Sequence, residues 1–310
     1  AANGDFKHFI DQVGLEDAET KSWESPFDFK AQGMLYITED LPTPSASNFS
    51  DEVAKRIWPF IKKNKGRAFV LCTTLRAMEV ISEALRYFAE TEGVSMNILV
   101  QNEQSKQELL RRFRSEENSV LVGSMSFWEG VDIKGDALSL VVIDKIPFPP
   151  PDDPVFEGRS KELEAEGKNS FNEISIPEAI MLLKQGAGRL IRDEKDEGLL
   201  ILCDNRLLSK GYGTKIWKSL PDFARTKVFD TAMNFLERCQ SREVKGSSVK
   251  VDFKRGHIVR MSPFKPQLPK GNRAVKVLQT SCRAQRGCGA GLRICRIGLA
   301  RKLHHGIRQR

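Results

Sequence analysis

Three observations predict an α/β domain of three layers, a mostly parallel sheet with helices on both faces. Five apolar runs of strand length recur along residues 47–240. Segments with helical spacing of their apolar residues, about 10–15 residues each, separate them. The runs are apolar nearly throughout, as in strands buried on both faces. For such an alternation, right-handed crossovers line the strand-to-helix loops along one edge of the sheet. Open α/β sheets bind their ligands at that edge.

Each element has its own signal. Residues 1–46 read as a lead-in from a preceding segment, and residues 47–240 as the domain. In the lead-in, FKHFIDQVGL has helical spacing at Phe6, Phe9, Ile10 and Val13. SPFDFKAQGMLYITEDLPTPS then reads as a loop, a short strand and a proline-rich exit. SDEVAKRIWPFIKKN is an amphipathic helix after Ser50. RAFVLCTT is a buried strand, followed by the helix LRAMEVISEALRYFAE. MNILVQ is a strand, EQSKQELLRRFRS a helix, and SVLVGS and LSLVVID are strands. In SIPEAIMLLKQGAGRLIRD, Ser175 and Glu178 have the spacing of a capping box, with Pro177 in the first turn. This helix is expected to run through Gly186 and Gly188 to Arg192. GLLILCD is the last strand. After Glu237 the periodicity fails, and residues 241–310 are expected to be a basic, poorly ordered tail.

Charge supports that division. The net charge is +8, but residues 241–310 carry 18 Lys/Arg against 2 Asp/Glu, and residues 1–240 carry 31 against 39. The basic pI therefore belongs to the tail and is no argument for nucleic-acid binding by the folded part. No run approaches the ~18 apolar residues of a membrane helix, so no membrane contact is expected. No signal peptide is visible at AANGDFKHFI, and the first residue is not methionine, as in a piece of a longer chain. Six cysteines at this length make no disulfide framework. Cys72 and Cys203 are expected as buried thiols in a reducing, cytoplasmic setting. Cys282, Cys288 and Cys295 lack the close pair of most zinc sites, and no metal site is expected there.

Three segments can carry chemistry. On a continuous helix Gln185, Arg189 and Arg192 share one face at i, i+4 and i+7, and guanidinium forks match phosphate oxygens. Gly186 and Gly188 cost that helix roughly 0.5–1 kcal/mol each. Beside the cations they remove bulk and would let another surface approach. GSMSFWEGVDIKG (123–135) follows a strand and carries Ser124, Ser126, Glu129, Gly130 and Asp132. Its hydroxyls and N–H groups could hold phosphates, and Asp132 could take a ribose hydroxyl or orient an arginine. Phe127 and Trp128 read as packing or as base-stacking residues. Thr73-Thr74 stands where a strand meets a helix, as an ordinary N-cap or as a phosphate site.

VLCTT, GSMSFWEGVDIKG and QGAGRLIR stand in the order and spacing of motifs IV, V and VI of superfamily 2 helicases. IDKIPFPPPDDP (143–154) and CDNR (203–206) narrow the likeness. The chain resembles the XPD/DinG-like branch of DNA helicases, and within it the bacterial YoaA type, over residues 20–238. The resemblance implies a RecA-like fold and the second motor domain of an ATP-dependent 5′→3′ DNA helicase. It implies that Arg192, as arginine finger, and Arg189 face the ATP γ-phosphate. Gln185 and Gly188 would belong to the nucleotide site, joined by Glu129, Gly130 and Asp132. Thr73, Thr74, Ser124 and Ser126 would touch the backbone of single-stranded DNA. The implied partners are that strand and the first RecA-like domain of the same protein.

Several family features are missing from the sequence. It contains no GxxxxGK[ST], since GKNS at 167–170 lacks the upstream glycine and the Ser/Thr directly after lysine, and no acidic D-E-x-H-type motif for magnesium. ATP and Mg²⁺ would therefore be held mainly by the absent domain, which would also carry the family's iron–sulfur cluster. The chain alone is expected to be inactive. CDNR stands where related proteins read D-P-R. The other reading is a non-catalytic docking module whose basic tail binds nucleic acid.

Overall fold

The computed structural model describes residues 6, 10, 14, 19–21, 25–124, 127, 138–150 and 152–246, with side chains to residue 240. The chain divides into two compact units, Ala1–Val251 and Asp252–Arg310, and every described residue lies in the first. Most of the lead-in helix expected at 6–13 falls outside the described residues, with Phe6 and Ile10 joined by a helical bond (Ile10 N–H to Phe6 O, 2.9 Å), as do the three cysteines of the tail and most of segment 123–135.

Among the described residues seven strands form one sheet: β1 (Gly33–Ile37), β2 (Ala68–Cys72), β3 (Asn97–Val100), β4 (Ser119–Ser124), β5 (Leu140–Ile143), β6 (Gly198–Leu202) and β7 (Ala224–Thr226). Their order is β3-β4-β2-β5-β6-β1-β7, and each pairing is parallel. Parallel neighbours need crossovers, and helices supply them: α1 (Phe29–Gln32), α2 (Phe49–Lys63), α3 (Leu75–Thr91), α4 (Lys106–Ser115), α5 (Pro154–Ala165), α6 (Ile176–Ala187), α7 (Arg206–Ser209), α8 (Gly213–Lys218) and α9 (Phe229–Gly246).

The period-2 alternation of the strands sorts their side chains into two cores. Leu35, Phe69, Leu71, Val141 and Leu200 face Leu109 and Phe113 of α4, Ile180 and Leu183 of α6, and Ile216 of α8. Tyr36, Ala68, Val70, Val142 and Ile201 face Val53 and Ile57 of α2, Ile81 and Leu85 of α3, and Leu236 of α9. Each fully buried aliphatic or aromatic side chain contributes roughly 1.5–3 kcal/mol of transfer free energy. The three predicted layers follow directly. Cys72 and Cys203 are buried free thiols within the second core. Among the described residues no helix is long and apolar enough to cross a membrane.

Three local features differ from expectation. Strand β1 lies inside the expected lead-in, paired on both sides by β6 and β7, so the sheet begins before residue 47. The three-residue strand β7, sequence Ala-Arg-Thr, offers no apolar run to read. The capping box at Ser175 does not form: its side chain makes no cap bond and its backbone is helical (φ −63°, ψ −44°). A π-helical turn, Phe171–Ser175, runs into α6 instead, so the first N–H groups of α6 are not at a chain start. Ser105 does cap, accepting from the Glu108 N–H at 3.3 Å and opening α4.

Candidate functional site

The described candidate residues fall on two opposite edges of the sheet. Thr73, Thr74 and Ser124 lie where β2 and β4 end, at the carboxyl edge. Arg189 and Arg192 lie on the turn that leads from α6 into the first residue of β6, at the amino edge. Strands of about five residues at ~3.3 Å each set these edges roughly 17 Å apart.

At the amino edge the helix stops earlier than its pattern suggests. α6 ends at Ala187, so Gln185 is exposed on its last turn while both arginines lie beyond it. The single helix face expected for Gln185, Arg189 and Arg192 is therefore not formed. The reason is local. Arg189 N–H bonds to Gly186 O (3.1 Å) and Leu190 N–H to Ala187 O (3.1 Å), a tightening to i→i+3 spacing. Gly188 keeps right-handed dihedrals (φ −68°, ψ −3°), and a Cβ there would stand 3.1 Å from Lys184 O. Leu190 and Ile191 are buried and pin the turn to the core, with Leu190 over Gly198, where any side chain would collide with it. Arg189 and Arg192 are left half-buried on either side of that apolar pair.

The main chain beneath Arg192 is fastened. One carboxylate oxygen of Asp196 accepts the N–H groups of Arg192 (2.8 Å) and Asp193 (2.9 Å). The buried amide of Gln32 donates to the carbonyls of Asp193 (2.8 Å) and Asp196 (3.0 Å). Gln32 immediately precedes β1, so a residue 161 positions away in sequence fixes this turn. Neither Gln32 nor Asp196 stands out in the sequence.

At the carboxyl edge the threonine and serine protons are turned inward. Asp144, fully buried just past β5, accepts the N–H of Thr73 (2.9 Å), the hydroxyl of Thr73 (3.3 Å) and the N–H of Lys145 (2.8 Å). Its burial pushes the carboxyl up to about 6 against the opposing pull of the Lys145 ammonium, 3.7 Å away, and of these hydrogen bonds. Ser124 donates its N–H (2.6 Å) and its hydroxyl (2.9 Å) to the side-chain oxygen of Gln101. Thr74 caps α3, its hydroxyl oxygen accepting from the Ala77 N–H at 3.2 Å. Along the same edge the buried Asp204 accepts from Ile146 N–H (2.8 Å) and binds the Arg206 guanidinium at 2.7–3.2 Å. The guanidinium also lies over the Phe148 ring. Burial opposes its charge, but Asp204 holds its pKa above the ordinary arginine value. The arginine of CDNR is thus a structural partner of its own aspartate.

Asp144 and Asp204 had a readable signal, since each is a lone carboxylate closing an apolar strand. Phe127 is buried in the first core, and a Cβ at Gly123 would meet its Cβ at 2.9 Å, so Phe127 is a packing residue. Ser126, Trp128, Glu129, Gly130 and Asp132 lie outside the described residues. Among the described residues no group of three or more His, Cys, Asp or Glu is placed to hold a metal ion.

Comparison with known proteins gives a consistent result. The model of the helicase C-terminal domain family matches residues 57–223. The ATP-dependent DNA helicase YoaA of Haemophilus influenzae is 45% identical over 234 residues, covering 76% of this chain and 36% of that protein. The ATP-dependent helicase DinG of Mycobacterium tuberculosis is 37% identical over 203 residues, covering 65% and 30%. A solved XPD helicase superposes with a TM-score of 0.46 at 21% identity, over 63% of this chain and 36% of that one. The chain spans about a third of the length of these curated relatives.

Proposed function

The chain belongs to the helicase C-terminal domain family, and from that premise we propose that it is the second motor domain of an ATP-dependent 5′→3′ DNA helicase. A partner motor domain of the same protein holds the triphosphate and its Mg²⁺. When the two domains close, Arg192 reaches the γ-phosphate as the arginine finger, with Arg189 beside it. Gln185 and Gly188, at the end of α6, line the same cleft. Glu129, Gly130 and Asp132 link nucleotide to strand. Thr73, Thr74, Ser124 and Ser126 follow the phosphates of single-stranded DNA.

Phosphoryl transfer gathers charge on oxygen, and a guanidinium fixed before the reaction stabilises it without reorganisation. The observation that carries the reading is the fastening of the turn that starts at Arg192, by Asp196 at the Arg192 N–H and by Gln32 at the carbonyls of Asp193 and Asp196. The separation of the two edges suits a motor in which nucleotide and strand are gripped by different sides of one rigid sheet. Contacts at the strand would be to phosphates, so sequence preference should be weak.

By this reading the chain alone does not hydrolyse ATP. Joined to its partner domain it should do so when single-stranded DNA is added. Arg192→Ala in that protein should lower the stimulated rate by about 10³-fold, while binding of the strand stays within about two-fold. Near-normal turnover in the variant would remove the arginine-finger assignment.

A further inference from the structure

A hydroxyl has one proton to give and two lone pairs to receive with. A phosphate oxygen can only accept. Which threonine at the β2–α3 corner can serve a phosphate therefore depends on where each proton points. Thr73 sends both its N–H and its hydroxyl proton to Asp144. Thr74 uses its hydroxyl oxygen as an acceptor, for Ala77 N–H, and lies exposed at the head of the 17-residue helix α3.

We propose that Asp144 is a positioning residue for strand binding, fixing the corner through Thr73 so that Thr74 gives its hydroxyl proton to a DNA phosphate. Thr73 is the internal anchor and Thr74 the contact. This rests on the reading that the carboxyl edge grips the strand, and it divides between two residues a role assigned there to both. A carboxylate suits the anchor because it can take two donors from one residue, one on each oxygen. In the neutral acid the carbonyl oxygen keeps the N–H groups, but the oxygen facing the Thr73 hydroxyl carries a proton and donates there instead of accepting, so one of the two ties is reversed and the corner loosens.

That chemistry makes the anchor sensitive to pH. Asp144 titrates at about 6, so it is mostly ionised at pH 7.5 and mostly neutral at 5.5. The charged groups nearest it are the Lys145 ammonium, 3.7 Å away, and Arg206, whose pKa Asp204 holds above the ordinary arginine value. The thiols of Cys72 on β2 and of Cys203 after β6 feel its charge, and burial pushes both well above the usual thiol value. Asp204 is paired with Arg206 at 2.7 Å.

The experiment measures binding of a fluorescein-labelled oligothymidylate to the full 310-residue chain by anisotropy, at fixed salt. At pH 7.5, Asp144→Asn and Thr74→Val should each weaken binding about five-fold or more, the size of one lost charge-assisted hydrogen bond of modest strength. Thr74→Ser should bind like the unaltered chain, because it keeps both the cap and the proton. Thr74→Val in the Asp144→Asn background should add little. As the pH falls from 7.5 to 5.5, the ratio of unaltered to Asp144→Asn affinity should fall towards one, with its midpoint near 6. The histidines, all outside the described residues, cancel in that ratio. Circular dichroism establishes that each variant is folded. A ratio that does not move with pH, or Thr73→Val weakening binding clearly further in the Asp144→Asn background, overturns the assignment of Asp144 while strand binding at this edge stands. If all corner variants bind like the unaltered chain, the strand is held elsewhere, and both the assignment and the reading beneath it fail.

Discussion

The two edges of the sheet use polar side chains in opposite ways. At the carboxyl edge, side chains from neighbouring strand ends satisfy one another: Thr73 with Asp144, Ser124 with Gln101, Arg206 with Asp204. At the amino edge, the side chains of Gln32 and Asp196 satisfy the main chain, and the arginines are carried on the backbone so fixed. The first arrangement ties the described strand ends to one another. The second aims a turn. Polar side chains thus tie side chain to side chain on one edge and side chain to main chain on the other, and the residue types alone do not distinguish the two.

The largest effect expected from breaking this contrast lies at the rim. Arg206→Leu leaves the carboxylate of Asp204, 1% exposed, buried beside an apolar side chain. A loss of about 3 kcal/mol of stability should appear in urea unfolding. If stability is unchanged while strand binding collapses, Arg206 is a contact and not a tie. Next in size is Gln32→Leu, which strips donors from two carbonyls of the Arg192 turn. In the two-domain protein kcat for ATP should fall about ten-fold, equivalent to ~1.4 kcal/mol, from loss of positioning. KM for ATP and affinity for the strand should move less than about two-fold. An equal fall in strand affinity would show that the two edges are not separable. The smallest effect is Gly188→Ala. Alanine's helix preference, worth roughly 0.5–1 kcal/mol over glycine, is offset by the 3.1 Å approach of its Cβ to Lys184 O. Melting should shift by no more than a few degrees, and a clear stabilisation would mean the helix end relaxes freely.

Much of the molecule was legible in one dimension because its signals are local. VLC, LVVI and GLLILC are apolar at every position, and only a strand covered on both faces wants that pattern. Helical spacing in α2, α3 and α4 placed their buried faces. Thr74 as the cap of α3 follows from its own hydroxyl and an N–H three residues away. The motif segments ordered themselves along the chain in the same way, and with them came the family. Less visible were features with competing local solutions. Ser175 and Glu178 have the spacing of a capping box, but the π turn before them leaves no helix start to cap. QGAGRLIR has helical spacing, but burial of Leu190 and Ile191 ends the helix before either arginine.

The sequence by itself determined the layers, the parallel sheet, the two buried thiols and which segments carry chemistry, because each depends on periodicity and composition within a few residues. Only the tertiary structure decided that the arginine turn and the threonine corner stand on opposite edges. Only it decided that Gln32 reaches across 161 positions to hold the former, and that Asp144 reaches 71 positions to hold the latter. Each of those ties is a pair of hydrogen bonds between residues brought together by strand order. Strand order is set by how the apolar faces of the strands and helices pack together, and no window along the chain records it.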